Sequence, residues 1–183
     1  GSHLSDVGLV MPIFYHGELV AFSANKAHWT EVGGKDPGSW TTDSTEIFQE
    51  GLQFPCIKLF EEGKVNQGLV DLIAANVRFP DLSLGDMWAG VAALRTGERR
   101  FVELCDKYGK DIVLSSIEYL LNHGEQMSRK ELAKLPKGTF ETVDYIDDDG
   151  VNQDPLKVQV KVTITDDEFI CDFRGSHPQV LGP

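Results

Sequence analysis

Basic side chains are scarce in this sequence. Seventeen lysines and arginines stand against 29 aspartates and glutamates, a formal net charge of −12. Binding nucleic acid by neutralising phosphates needs a concentrated basic surface, so the composition argues against that class of function. The acid excess reads instead as a device for solubility. Long apolar runs are also missing. Stretches such as GLVMPIF (residues 8–14) are far shorter than the ~20 residues a membrane helix needs. No charged-then-apolar leader is present, so a cytoplasmic protein without membrane association is expected. Cysteine is rare and odd in number: Cys56, Cys105 and Cys171 are widely separated. That spacing excludes a disulfide framework or a CxxC metal knuckle, and it predicts three reduced, buried thiols. A Walker-type glycine-rich loop is lacking too, which places nucleotide binding elsewhere.

What is present is an ordinary globular composition, 41% hydrophobic over 183 residues, enough for one sizeable core or two small ones. Residues 7–27 hold β-branched and aromatic residues on both sides of YHGE and predict a β-hairpin. From His28 to about Phe60 periodicity is lost and turn formers dominate (GGKDPGSWTTDST); a loop of that length is usually functional. Leu69, Leu72, Ile73 and Asn76 keep helical spacing, and Pro80 is expected to end that helix. Ser83 is then expected to cap a long helix that carries Met87, Val91, Leu94, Phe101 and Leu104, closed by Gly109. A third helix follows from Asp111, with Gly124 as its weak point and Pro136 as its terminator. The chain returns to strands in GTFETVDYI, KVQVKVTIT and DEFICDFRG, the last two antiparallel across TDDE. The order predicts an α+β fold: a β-hairpin with a long functional loop, long central helices and C-terminal antiparallel strands. Its regions are 1–66 (metal and loop), 67–136 (helical) and 137–183 (β).

Gly1-Ser2-His3 matches the remnant of a cleaved affinity tag. Yet His3 stands three residues before Asp6, and His28 closes the second predicted strand. In a hairpin the start of one strand lies beside the end of the next, so all three can converge. Two imidazoles and a carboxylate can hold a divalent first-row ion with positions left open; they can equally be solvated residues near a chain end. Glu31, three residues beyond His28, can orient an imidazole or act as a general base, or belong to a surface loop. Glu46 and Glu50 read as acids at a helix start, Gly97 to Arg100 as a salt-bridged helix face, and Asp147 to Gly150 as a turn without the spaced ligands of a calcium loop. Both ends of the sequence look cut, so a longer parent chain is expected.

Stretches running along nearly the whole chain resemble the hydantoinase B/oxoprolinase family: GSHLSD, AHWTEVGGKDPGS, STEIFQEGLQFPCIKLFEEGKVN, LIAANVRFP, GDMWAGVAALRTGERR and DFRGSHPQVLGP. The family pattern G-[ST]-H-L-x-D, followed about 25 residues later by A-H, stands here as His3, Asp6 and His28. The resemblance implies that Gly-Ser-His is native sequence and that these three residues hold a divalent metal (Mn, Zn or Fe). Where some relatives have A-H-H-x-D-x-G-G, this chain has Trp29 and Glu31, so a further imidazole is absent and a carboxylate is kept one methylene longer.

The resemblance further implies an ATP-dependent hydrolase of a small cyclic amide such as a hydantoin, 5-oxoproline or a lactam. The chemistry of such a reaction then suggests Glu31 as the acceptor of a water proton and Gly33 and Gly34 as a substrate loop that lets the backbone come close. ATP and Mg would be bound by a hydantoinase A-like ATPase partner subunit, and the remaining part of the same subunit would complete a hetero-oligomer. Two alternatives stay open: a ketone carboxylase subunit of the acetone or acetophenone type, and a non-catalytic structural fragment.

Overall fold

The computed structural model describes residues 3–183. It is α+β, with the elements in the order expected, and it divides into two compact units, Gly1–Glu103 and Leu104–Pro183.

The first unit opens with an antiparallel hairpin of β1 (Asp6–Tyr15) and β2 (Glu18–His28). His16 and Gly17 make its two-residue turn, both at positive φ (51° and 83°), the twist that such hairpins favour. The register pairs Asp6 with His28 at the open end, and an irregularity between Ile13 and Phe14 absorbs the extra residue of β2. The predicted long loop follows, but it contains a small hairpin of β3 (Phe60–Glu61) and β4 (Lys64–Val65) that the alternation did not reveal. Strands of two residues are too short to show a period.

Helix α1 (Gln67–Asn76) is capped by Asn66, whose side chain accepts from the Leu69 N–H at 3.2 Å. Its buried face is Leu69, Val70 and Ile73. Helix α2 (Pro80–Tyr108) corrects two expectations. Pro80 does not terminate α1 but opens α2, at the first helical position where its missing N–H costs nothing; the N–H groups of Leu82 and Ser83 already bond to Phe79 O. Ser83 is therefore inside the helix, fully buried, rather than its cap. The core of this unit gathers Val7, Trp29, Val32, Leu69, Val70, Ile73, Val77 and Met87. Each such large side chain contributes roughly 1.5–3 kcal/mol by leaving water. Against the hairpin α2 presents glycine: a Cβ at Gly90 would lie 2.7 Å from Leu9 Cδ1, and Gly90 O accepts from Asn25 Nδ2 at 2.8 Å.

The second unit holds the end of α2, helix α3 (Lys110–Lys134) and a three-stranded antiparallel sheet. Gly109, at φ 89°, closes α2 with its N–H on Cys105 O at 2.8 Å. Helix α3 runs unbroken through Gly124 and carries His123 stacked on Tyr119. The sheet runs β5 (Gly138–Ile146), β6 (Leu156–Ile164), β7 (Phe169–Asp172), with β6 central. In the turn after β5, Asp149 accepts from the N–H groups of Val151, Asn152 and Gly182. These bonds, led by that of Asn152, hold its carboxyl down at about 2. Arg99 and Arg100 pair with Glu103 as the helix-face reading expected.

The cysteines differ from expectation. Cys105 is buried, and desolvation raises its thiol pKa. Cys56 and Cys171 are exposed: the first sits in an irregular turn at φ 39°, the second on edge strand β7. Among the described residues no helix is long and apolar enough to cross a membrane.

Candidate metal centre at the mouth of the hairpin

Directly opposed residues of an antiparallel pair project to the same face. The Asp6–His28 register pair therefore puts a carboxylate and an imidazole side by side at the mouth of the hairpin. His3, just before β1, folds back onto them. The two imidazole centroids are 4.9 Å apart, and His3 Nε2 lies 3.8 Å from Asp6 Oδ1. The exposed indole of Trp40 borders both rings, at 6.1 and 6.4 Å. Lys26 reaches across from β2 and binds Asp6 Oδ2 at 2.9 Å. That bond, with the charges of Lys26, His3 and His28, holds the Asp6 carboxyl below the usual range against an opposing desolvation.

His3 and Asp6 line a cleft of about 350 Å³ together with Glu50, Ile47, Leu52 and Phe54. Among the described residues, no group of three His, Cys, Asp or Glu side chains is close enough to hold a metal as it stands. The donor set nevertheless fits a divalent first-row ion: two imidazoles and one carboxylate converge from two strand ends, with open positions between them. Asp6 would exchange its Lys26 contact for the ion.

The loop after His28 has only short 3-10 turns at Pro37–Ser39 and Ile47–Gln49 before it reaches β3, but it is bonded almost residue by residue. The Thr30 N–H and hydroxyl donate to Asp86 Oδ2 at 2.7 and 3.0 Å. The N–H of Val32 donates to Ser39 Oγ at 2.8 Å, and that hydroxyl donates to Gly33 O at 2.6 Å. Ser83 Oγ donates to Glu31 O at 2.8 Å.

Glu31 itself points away from solvent altogether, at 0% exposure. One carboxylate oxygen accepts from Arg78 Nη1 at 2.7 Å; the other accepts from the backbone N–H groups of Arg78 and Phe79 at 2.7 and 3.2 Å. The same guanidinium donates to the carbonyls of Gly34, Lys35 and Asp36. A carboxylate so enclosed has no path to a water or a substrate, and its geometry is that of a post holding the loop. Gly33 and Gly34 stand at φ 88° and 91°, and each abuts the chain's own backbone. A Cβ at Gly33 would lie 2.6 Å from Asn76 O, and one at Gly34 2.5 Å from Gln49 O. Trp29 is turned into the core at 2% exposure.

The structure thus brings His3, Asp6 and His28 together and places Glu31, Gly33 and Gly34 in the scaffold behind them. Comparison with known proteins matches the whole chain to a family. The sequence model described as Hydantoinase B/oxoprolinase covers residues 1–183. The chain belongs to the hydantoinase B/oxoprolinase family. A protein of Pseudomonas sp. (strain NS671), named as one of the subunits of a D-/L-hydantoinase, is 38% identical over 98% of this chain and 31% of its own length. The acetophenone carboxylase delta subunit of Aromatoleum aromaticum is 27% identical over 100% of this chain and 27% of its own. The crystal structure of the ATP-dependent caprolactamase from Pseudomonas jessenii superposes with a TM-score of 0.91 at 33% identity, covering 100% of this chain and 31% of that one. The chain therefore spans about a third of the length of these relatives.

Sequence reasoning missed three residues that shape this site, and it read a fourth, Glu50, as an acid at a helix start. Arg78 and Asp86 anchor the loop, Lys26 holds Asp6, and Glu50 faces the cleft. A lone arginine directly after a helix, between two apolar residues, was the available signal for Arg78. The spacing of Glu46 and Glu50 allowed acid–base work as well, and only the cleft separates Glu50 from its neighbour.

Proposed function

We propose that this chain is the metal-binding part of an enzyme subunit that uses ATP to open a small cyclic amide. The observation that carries the reading is the convergence of His3, Asp6 and His28 at the mouth of the hairpin, in a chain that matches the hydantoinase B/oxoprolinase family from end to end. Hydantoinase, oxoprolinase and caprolactamase names among the relatives point to substrates that share one group, an amide closed into a ring.

Amide resonance makes the oxygen the nucleophilic atom and protects the carbon. Transfer of the γ-phosphoryl group to that oxygen breaks its bond to ADP and converts the carbon into an electrophile. A water adds to the carbon, the C–N bond breaks with the nitrogen taking a proton, and a second water releases phosphate from the acyl phosphate. The sum is cyclic amide, ATP and two waters giving an amino acid, ADP and phosphate. Nucleotide and Mg belong to a hydantoinase A-like ATPase partner. A divalent ion held by His3, Asp6 and His28 would supply Lewis acidity and water of lowered pKa. In this chain Lys26 holds Asp6 at the hairpin mouth until an ion takes its place, and Trp40 borders both imidazoles. The Glu31–Arg78 pair fixes the loop that follows His28.

A second reading, an ATP-dependent ketone carboxylase subunit, is favoured by the acetophenone carboxylase relative. The deciding assay uses the full-length subunit with its ATPase partner, ATP, and either hydantoin, 5-oxoproline and a lactam or a ketone with bicarbonate. Ring-opened amino acid formed in step with ADP is the expected result. Carboxylation of the ketone with every amide left intact would overturn it.

A further inference from the structure

Two acids in and behind the hairpin mouth are engaged within the chain: Glu31 by Arg78 and Asp6 by Lys26. Glu50 is not. It is half-buried, it lines the same cleft as His3 and Asp6, and its carboxylate has no hydrogen bond or ion pair among the described residues. A carboxylate in the cleft wall with no donor from its own chain is free to take one from a molecule bound there.

Its backbone is nonetheless among the most tightly held parts of the loop. The N–H of Glu50 donates to Ile47 O at 3.0 Å, Gln49 O accepts from the Lys35 N–H at 2.8 Å, and the Leu52 N–H donates to Val32 O at 2.8 Å. Gly51, at φ 134°, lets the chain pass so close that a Cβ there would lie 2.7 Å from Val32 O. The residues on either side of Glu50 are thus bonded to the 32–35 segment, which Arg78 braces in turn. A fixed backbone under an unpartnered side chain is the construction of a ligand contact.

An ionised carboxylate only accepts hydrogen bonds. A ring forces its amide into the cis form, which puts N–H and C=O on one edge, whereas open-chain amides are trans and point them apart. A cleft with an acceptor, Glu50, and an imidazole, His3, in its lining can read both groups at once. Ile47, Leu52 and Phe54 supply an apolar wall for ring methylenes. We propose that Glu50 orients the substrate by accepting a hydrogen bond from the ring N–H, with the carbonyl turned toward the imidazole of His3. This assignment rests on the cyclic-amide reading above.

The test compares a lactam with its N-methyl derivative, using the full-length subunit with its ATPase partner and metal. A site that bonds a substrate N–H strongly rejects an analogue lacking it. The wild type should prefer the N–H lactam by at least about 100-fold in kcat/KM, and Glu50→Ala should bring that preference close to unity without changing metal content. Glu50→Leu, which fills the apolar wall, guards against a folding defect and should behave like Ala. Glu50→Gln keeps an acceptor oxygen and should keep most of the preference. A wild-type enzyme that opens lactams, with its preference unchanged in Glu50→Ala and Glu50→Leu or with metal lost alongside activity, overturns the role of Glu50 alone. A wild type that opens no cyclic amide overturns the functional reading and the role of Glu50 together.

Discussion

Glu31 and Arg78, 47 residues apart in the chain, form a 2.7 Å ion pair in which the carboxylate is wholly buried and the guanidinium is 38% exposed. The pair ties the loop after the hairpin to the junction of α1 and α2, and it carries five further backbone hydrogen bonds. Removing one member leaves the other without its counter-charge, which is far costlier than never having had the pair.

Glu31→Ala should therefore destabilise the chain by about 3 kcal/mol, near the lower end for buried pairs because Arg78 can rehydrate. Glu31→Gln, which keeps acceptor and shape, should cost less than half of that. Urea unfolding of the isolated chain measures both. Full stability in Glu31→Ala, with activity alone lost in the complete enzyme, would return Glu31 to the role of general base.

Gly34 and Gly38 both have positive φ, at 91° and 78°, but differ in surroundings. A methyl at Gly34 meets Gln49 O and Glu50, whereas at Gly38 it meets nothing within 4 Å. Gly38→Ala should cost about 1 kcal/mol from its backbone conformation alone. Gly34→Ala should cost clearly more and should also displace the segment bearing Glu50. Thermal melts rank the two, and equal losses would contradict the close approach.

The metal centre predicts stoichiometric Mn, Zn or Fe in the full-length subunit after dialysis. In His28→Ala affinity should fall by at least about 100-fold, more than the loss of an outer-sphere partner produces. Lys26→Met removes the competitor for Asp6 and should leave metal content intact. Elemental analysis reads all three proteins, and metal retained by His28→Ala would remove that imidazole from the donor set.

Asp149 titrates near 2 in the folded chain, below its ordinary value of 3.8. A depressed folded pKa stabilises the fold above the ordinary value and ceases to do so as pH falls through the depressed one. The contribution should be complete above about pH 4 and fade between pH 4 and 2. Asp149→Asn should be less stable at neutral pH, and its unfolding midpoint should vary less over that acid window. Parallel pH profiles for the two proteins would contradict the assignment.

The hairpin, the three long helices and the C-terminal strands were legible because each repeats a period over many residues. The meeting of His3, Asp6 and His28 was legible only as far as a hairpin brings strand ends together; their reading as metal ligands came from a motif. The scaffold behind it was not. Glu31 reads as a candidate base because sequence shows its nearness to His28 and hides Arg78, whose approach depends on how α1 meets α2. Pro80 and Ser83 misled for a related reason: proline both ends helices and begins them, and three residues separate those outcomes here. The exposure of Cys56 and Cys171 follows from a turn and a sheet edge, neither of which leaves a trace in spacing.

The register of β1 and β2 also acts as a ruler for the site. Because Asp6 faces His28 across the ladder, and the one irregularity lies between Ile13 and Phe14, added length is not equivalent everywhere. Residues inserted at His16–Gly17 lengthen the turn and leave the open end untouched. One residue inserted between Asp6 and Ile13 rotates Asp6 to the opposite face and dismantles the donor set without changing a donor. Relatives that keep the chemistry should therefore vary in length at the closed end of this hairpin and hold constant at the open one.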